Sequence, residues 1–549
     1  MGYNIYYSIK LRHETDGNHP DMIKKTKRIF CAASFVVVLA AQLCACSSLI
    51  VIHDNPQADE TAQSTETAVP DTQDTGADTK SGVESDTDGI PTDTVTAESA
   101  ASPADPAERA KAALVELRRA DLDGMNYLIA ASDRAAVFGD SFDGEEAGST
   151  VLPATRIART RLVEEKYNVR ILTFSYDPEE LYQEIRAAYL SDTQYFADFY
   201  AIPSSEVGRY QTAGLLFNLR SLPFTDYSAD YFDGDAMNAF SAGNGIWAAA
   251  GDYTFSPENY HAVYYNKTLN EKLGLTSPYD QVKGSTWTWD TLLANAAVAR
   301  GLADRDGNFT YFGDNFSSFS LTTGEALVLA SSGQHMISSG LDRIPALSAD
   351  TDALGTVVSV IKNAVSASAT SPTASQYTDA YPDAESLFLG GKLLYYCGNL
   401  ANLRKWADSE TVWGLLPLPK ISEGQKSYGT YAGDSAVLCV PSTVGDPEAT
   451  GTILQALFAA SAGTYPEIYL GEALAYYVRD GESVDMLELI CGTVTYDFAA
   501  SFASGYSYTN YATLYALHSA VTQGYSLSSM YQNYKTSAAS ELAKAFPVR

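Results

Sequence analysis

Between residues 126 and 203 the chain switches its hydrophobic period repeatedly, and that switching admits few folds. Residues 126–131, Asn-Tyr-Leu-Ile-Ala-Ala, form an apolar run of strand length. Residues 154–167 are rich in helix formers, and residues 168–173 then alternate with period two. From Pro178 to Ser191 a stripe of Leu181, Tyr182, Ile185, Ala188 and Tyr189 predicts a helix with Pro178 near its start. Phe196 to Ile202 reads as a strand halted by Pro203, and Ser204-Ser205-Glu206 as the next helix start. Strand, helix, strand, helix, strand predicts a parallel sheet with crossover helices. Ligands of such sheets bind beyond the carboxyl ends of the strands.

The alternation resumes later. Ala262 to Tyr265 is a predicted strand. Trp287-Thr288-Trp289-Asp290 opens a helix with Thr288 as N-cap and Trp289, Leu292, Leu293 and Ala296 on one face. Tryptophans so spaced can stack on a sugar, but a helix face packed into the core accounts for them more simply. Lys392 to Cys397 and Val412 to Leu416 read as further strands. Asp446-Pro447-Glu448 starts a helix with Ile453, Leu454, Leu457 and Phe458 inward. At 549 residues the chain exceeds what one hydrophobic core serves, so at least two domains are expected.

The amino-terminal part reads as an address. Lys24-Lys25-Thr26-Lys27-Arg28 is a cationic segment before an apolar run from Ile29 to Leu43. That run is shorter than the ~20 residues a spanning helix needs and suits a signal peptide. It ends in Leu43-Cys44-Ala45-Cys46-Ser47, which resembles a lipobox. Cys46 fits the pattern because an aliphatic residue and a small one stand where the pattern wants them; Cys44, directly after Leu43, does not. Cleavage before Cys46 leaves a diacylated residue, and two acyl chains suffice for stable anchoring. Met22 offers a conventional start for this signal, ahead of the cationic segment. Residues 46–115 are then an acidic linker rich in Thr, Ser and Asp, without an aromatic residue. It cannot bury enough apolar surface to offset chain entropy, and its expected role is to hold a folded body away from the membrane.

A formal net charge of -31 argues against nucleic acid as a partner, because phosphate binding needs a basic surface. Cys397, Cys439 and Cys491 are widely spaced and odd in number, which suits small buried hydrophobes better than a disulfide framework. No zinc pattern is present. Asp304-Arg305-Asp306-Gly307-Asn308 lacks the third carboxylate and distal Glu of a calcium loop and reads as a turn. No metal and no cofactor is expected. With no GxSxG, no HExxH and His261, His335 and His518 as the histidines of the body, catalysis is not the expected role.

Several segments together resemble the extracellular solute-binding proteins of ABC importers, family 1, in particular the maltose-binding-protein-like class. Residues 158–169, running from Ala158-Arg159-Thr160-Arg161 into Asn168-Val169, look like the family's first helix and second strand. Ala197-Asp198-Phe199-Tyr200 through Leu216 is similar to its acidic strand end and following helix. His261-Ala262-Val263-Tyr264-Tyr265-Asn266-Lys267, followed by Glu271 to Leu275 and Trp287 to Asp290, is similar to the strand crossing between lobes and the first helices beyond it. Phe388 to Leu393 and Trp413 to Pro419 look like later strands, and Ser483 to Ile490 is similar to a carboxy-terminal motif of Gram-positive members.

The resemblance implies an α/β, two-lobed fold of the periplasmic-binding-protein type II, with hinge-crossing strands and a ligand cleft between the lobes. The expected division is residues 1–45 signal peptide, 46–115 linker and 116–549 body. Lobe 1 spans approximately 116–262 and 436–485, and lobe 2 approximately 266–430 and 490–549. The implied role is capture of a small polar solute, a carbohydrate first, by a monomer that delivers it to membrane permease subunits. The lipid on Cys46 would hold it on the outer face of a Gram-positive cell membrane. By position the resemblance implies ligand contacts at Ser204 and Ser205 after the acidic strand, and at Trp247, Tyr253, Glu258 and Asn259 before the crossing strand. It implies others at Asn399, Asn402 and Trp406 after the strand ending at Cys397, and at Tyr431 and Asp434 at the second crossing. Ile202 and Ser204 stand where maltose-binding relatives carry an aromatic and a carboxylate, which speaks against a maltodextrin. A ligand sensor serving a membrane receptor and a tethered glycoside hydrolase are the alternatives.

Overall fold

The computed structural model describes residues 106–135, 151–191, 195–306, 321–348, 351–368, 384–391, 393–433 and 435–548. They belong to one compact unit, Glu98–Arg549. The fold is mixed α/β, with five small sheets, of which two, each collecting its own helices, organise the halves. The strands that matter are β1 (Met125–Ser132), β2 (Val169–Tyr176), β3 (Phe199–Pro203), β4 (His261–Asn266), β5 (Tyr395–Asn399), β6 (Trp413–Leu416) and β7 (Ala436–Cys439). The helices are α1 (Pro106–Glu116), α2 (Val151–Tyr167), α3 (Pro178–Leu190), α4 (Val207–Thr212), α5 (Gly234–Ala239), α6 (Trp289–Asp306), α7 (Leu321–Ser332) and α8 (Thr351–Ser368). They continue with α9 (Pro447–Ala459), α10 (Thr464–Glu472), α11 (Gly481–Cys491), α12 (Phe498–Phe502), α13 (Ser507–Ala512), α14 (Leu514–Thr522) and α15 (Leu527–Ala545).

The first sheet has the order β7-β3-β1-β2. β1 runs parallel to β2, from Met125 opposite Val169 to Ser132 opposite Tyr176, and parallel to β3. β7 returns antiparallel beside β3. Period two divides β1 between two cores. Tyr127, Ile129 and Ala131 meet Val163 and Tyr167 of α2 and Ile453 and Leu457 of α9, whereas Leu128 and Ala130 meet Leu181 and Ile185 of α3. Each such buried aliphatic side chain contributes about 1.5–3 kcal/mol. α3 begins where the sequence places it: Asp177 caps it by accepting from the Glu179 and Glu180 N–H groups, and Pro178 occupies the first turn. The predicted strand at Phe196 starts three residues later, at Phe199, because Asp198 turns its carboxylate to the Leu128 N–H at 2.7 Å.

The second sheet has the order β5-β4-β6, with both neighbours antiparallel to β4. All six residues of β4 are buried. Ala262 and Tyr264 face Trp406, Trp413 and Leu487, and Val263 and Tyr265 face Trp287, Trp289 and Leu292. Trp287 and Trp289 are therefore core residues, with indole N–H groups that donate to the Pro417 carbonyl and to Ser331 Oγ. Cys397 and Cys439 are buried, and Cys491 is partly buried.

The chain passes between the two sheets more than once. It leaves the first after residue 251, enters the second at β4, and returns at β7. α9 and α10 pack on α2, while α11 packs on β6, so a further passage lies between Glu472 and Gly481. α13, α14 and α15 form a group that packs on α7 and α8 of the second half. The halves also touch directly: one apolar cluster runs from Leu128 and Tyr210 through Phe498 and Phe502 to Tyr265 and Trp289. No described helix is long and apolar enough to cross a membrane.

Candidate functional site

A cavity of ≈ 410 Å³ opens where segments of both halves meet. Such a volume lies within the range of small-molecule sites. From the first half come Asp230, Phe232, Asp233, Gly251, Asp252, Thr254 and Phe255, with Pro466 and Leu470 of α10. Tyr260, at the entry to β4, completes that side. From the second half come Glu488, Cys491 and Gly492 at the end of α11, then Val494 and Tyr496.

The floor is held by backbone. Phe232 and Gly251 bridge, with the Asp233 N–H donating to the Ala250 carbonyl at 3.0 Å and the Asp252 N–H to the Tyr231 carbonyl at 3.0 Å. A Cβ on Gly251 would lie 2.2 Å from the Tyr231 oxygen, so only glycine permits this approach. The Asp233 carboxylate caps α5 through the Asp235 and Ala236 N–H groups. Asp252 accepts from the Gly463 N–H at 2.6 Å. Burial raises the Asp252 carboxyl to about 6, against the pull of that N–H and of Arg159. Burial likewise raises Asp233, and it pushes the Cys491 thiol up to about 12. Tyr260 and Tyr496 lie beside each other, and Tyr496 beside Ser435; burial keeps both phenols protonated. The lining thus joins aromatic faces to carboxylates and holds no Lys or Arg. It is an acceptor-rich surface suited to a solute with many hydrogen-bond donors.

A polar shelf lies at the carboxyl ends of the parallel strands and continues into this network. The Ser204 N–H donates to the Ser435 carbonyl at 2.9 Å, beside Tyr496. The Tyr431 ring lies 5.2 Å from that of His261, and His261 Nδ1 is 3.1 Å from the Asn259 carbonyl. Burial lowers the His261 imidazole to about 4, so it is neutral at pH 7.

The residues expected from sequence divide accordingly. Ser204, Ser205, Asn259 and Tyr431 stand on or beside the shelf. Glu258 is paired with Arg156 of α2 at 3.6 Å, behind the cavity wall formed by Cys491. Tyr253 is buried under the Arg159 guanidinium, which lies 4.5 Å from its ring. Trp247 is half-buried against Phe546. Trp406 and Asn402 are buried in the second half, and the Asn399 carbonyl accepts from the Tyr264 hydroxyl at 2.9 Å. None of these lines the cavity. Asp434 and Cys46 lie outside the described residues. Sequence reasoning missed Asp252, Tyr260 and Tyr496, although it singled out their chain neighbours Tyr253 and Asn259 and the motif containing Glu488. Among the described residues no group of three potential ligands could hold a metal.

No protein-family model and no characterised protein matches this sequence. Solved structures do align with it. An ABC substrate-binding protein from Listeria monocytogenes, in complex with cycloalternan, aligns with 78% of this chain and 100% of its own at 12% identity and a TM-score of 0.47. The galacto-N-biose-/lacto-N-biose I-binding protein of the ABC transporter from Bifidobacterium longum, in complex with lacto-N-biose, aligns with 78% of this chain and 99% of its own at 13% identity and a TM-score of 0.49. A family 1 extracellular solute-binding protein from Bifidobacterium longum subsp. infantis aligns with 76% and 99% at 12% identity and a TM-score of 0.48.

Proposed function

We propose that this chain is the solute-binding component of an ABC importer, held on the outer face of the cell membrane by a lipid on Cys46. It captures a small, hydroxyl-rich solute, a carbohydrate, between its two halves and delivers it to membrane permease subunits. The observation that carries the reading is the cavity: aromatic and carboxylate side chains from both halves face one space beside the strands that pass between them. A guest there touches both halves at once, so its binding free energy favours the closed arrangement over any open one. The carboxylates accept from hydroxyl groups, and Phe232, Phe255, Tyr260 and Tyr496 offer faces to the C–H patches of a sugar ring. Ser204, Ser205, Asn259 and Tyr431 supply further polar groups on the adjoining shelf.

The test is a thermal-shift screen against libraries of mono- and oligosaccharides and of short peptides. A bound solute raises the melting temperature by mass action. A sugar that does so, with a shift reduced by Tyr260→Ala, supports the reading. Hydrolysis of a glycoside with no shift from any solute overturns it.

A further inference from the structure

Away from the strands that pass between them, the halves are fastened at two further places: residues 242–243 pair in parallel with 340–341, and a helix of the first half crosses a segment of the second. α4 of the first half crosses the segment formed by α12 and residues 503–505, backbone against backbone. Gly208 lies so close that a Cβ there would be 2.5 Å from both the Cα and the carbonyl oxygen of Phe502. Gly505 is equally tight: its Cβ would be 2.4 Å from the Gly208 oxygen and from Thr212 Oγ1. Contacts this short with main-chain atoms leave no room for any side chain. The Thr212 hydroxyl donates to the Gly208 carbonyl at 2.6 Å and reaches the Gly505 carbonyl at 3.3 Å. The Tyr506 hydroxyl donates to Gln211. Beneath them Phe498 stacks on Phe502 with ring centroids 4.3 Å apart, and both are buried with Val207 and Tyr210.

The crossing segment belongs mechanically to the second half. α13 to α15, which follow it, pack on α7 and α8. Asp497 anchors its other end: Oδ1 accepts from the Ala499 and Ala500 N–H groups to cap α12, while Oδ2 lies 3.1 Å from His335 Nδ1, beyond the end of α7. Tyr496, on the cavity wall, immediately precedes Asp497. One short stretch therefore runs from the cavity to the crossing.

We infer that residues 497–506 are a clasp that helps hold the two halves together, with the Gly208–Gly505 crossing as its contact surface. Opening requires separating that crossing as a unit, together with the pairing of residues 242–243 and 340–341, since neither glycine can slide past the opposing backbone while the other stays seated. The clasp therefore sets how readily the halves part to admit a solute.

Amide hydrogen exchange on the full chain tests this without any solute, so failure of the carbohydrate reading leaves the test intact. In the wild type, peptides covering residues 207–213 and 498–506 are expected to be protected and to exchange together. Gly505→Val should speed exchange at least about tenfold in both peptides while β1 and β4 stay protected, and small-angle scattering should show a larger radius of gyration. Thr212→Val, which keeps the shape and deletes the hydroxyl, should speed both peptides by a smaller factor and serves where Gly505→Val unfolds the chain. Unprotected wild-type peptides overturn the clasp. So does a variant in which residues 498–506 loosen while 207–213 remain protected.

Discussion

The indole N–H of Trp406 donates to Glu385 Oε1 at 2.9 Å, and the ring lies 4.8 Å from that of Tyr264 in the second half's core. Phe388, Tyr396 and Trp413 surround it, and 1% of the residue is exposed. A tryptophan so enclosed, with its donor satisfied, is a structural anchor. Trp406→Ala should destabilise the chain by about 3–5 kcal/mol, the usual range for emptying an aromatic site. Trp406→Phe should cost less, because a ring still fills most of the space and Lys405 still pairs with Glu385. Urea midpoints measure both. A solute shift that survives Trp406→Phe separates core from binding site.

Stability should respond to pH through two buried groups of opposite sign. Asp252 has its carboxyl raised from 3.8 to about 6, chiefly by burial. Between those values the folded chain keeps a proton that the unfolded chain has lost. Its stabilising contribution is complete below pH 3.8 and lost as pH rises through 6, on the order of 3 kcal/mol in all. His261 has its imidazole lowered from 6.5 to about 4, also by burial. Its contribution is complete above 6.5 and lost as pH falls through 4. The two oppose each other between about 4 and 6. Relative to the wild type, Asp252→Asn should tilt stability upward with rising pH, and His261→Gln should tilt it downward. Denaturation midpoints at several pH values check both slopes; tilts of the same sign would remove burial as their cause.

How much of this was legible in the sequence depended on distance along the chain. The β1-α2-β2-α3-β3 unit was, because its hydrophobic periods and the Asp177-Pro178 start are local signals. The β4 strand was too, since a six-residue buried run has few alternatives. The cavity was not. The reading reached the right segments but chose Tyr253 and Asn259, whose neighbours Asp252 and Tyr260 face the space instead. Which of two adjacent side chains points inward depends on the Phe232–Gly251 bridge and on the passage into β4, and both are set by partners far away in sequence. Tyr496 carries no local signal at all. It reaches the cavity because residues 494–495 pair with Thr430 and Tyr431.

That pairing makes Tyr496 the residue to change. Its buried hydroxyl lies close to Tyr260 and Ser435. Tyr496→Phe keeps the ring and removes the hydroxyl that a bound solute would meet on the cavity wall. A carbohydrate that stabilises the wild type should stabilise this variant less, with at least a several-fold weaker affinity by calorimetry. Unchanged affinity would place the solute elsewhere, with the shelf of Ser204, Asn259 and Tyr431 the next place to look.

The anchor can be tested independently of the solute. Leu43-Cys44-Ala45-Cys46 offers two thiols, and the lipobox spacing selects Cys46. A diacylated amino terminus partitions strongly into a detergent phase, whereas a strongly acidic body with no lipid stays in water. In phase separation of cell extracts the wild type and Cys44→Ala should follow the detergent, and Cys46→Ala should not. If Cys46→Ala still enters the detergent and Cys44→Ala does not, the lipid is on the other thiol. If neither wild type nor variant enters it, the leader is a plain secretory signal and the body acts unanchored.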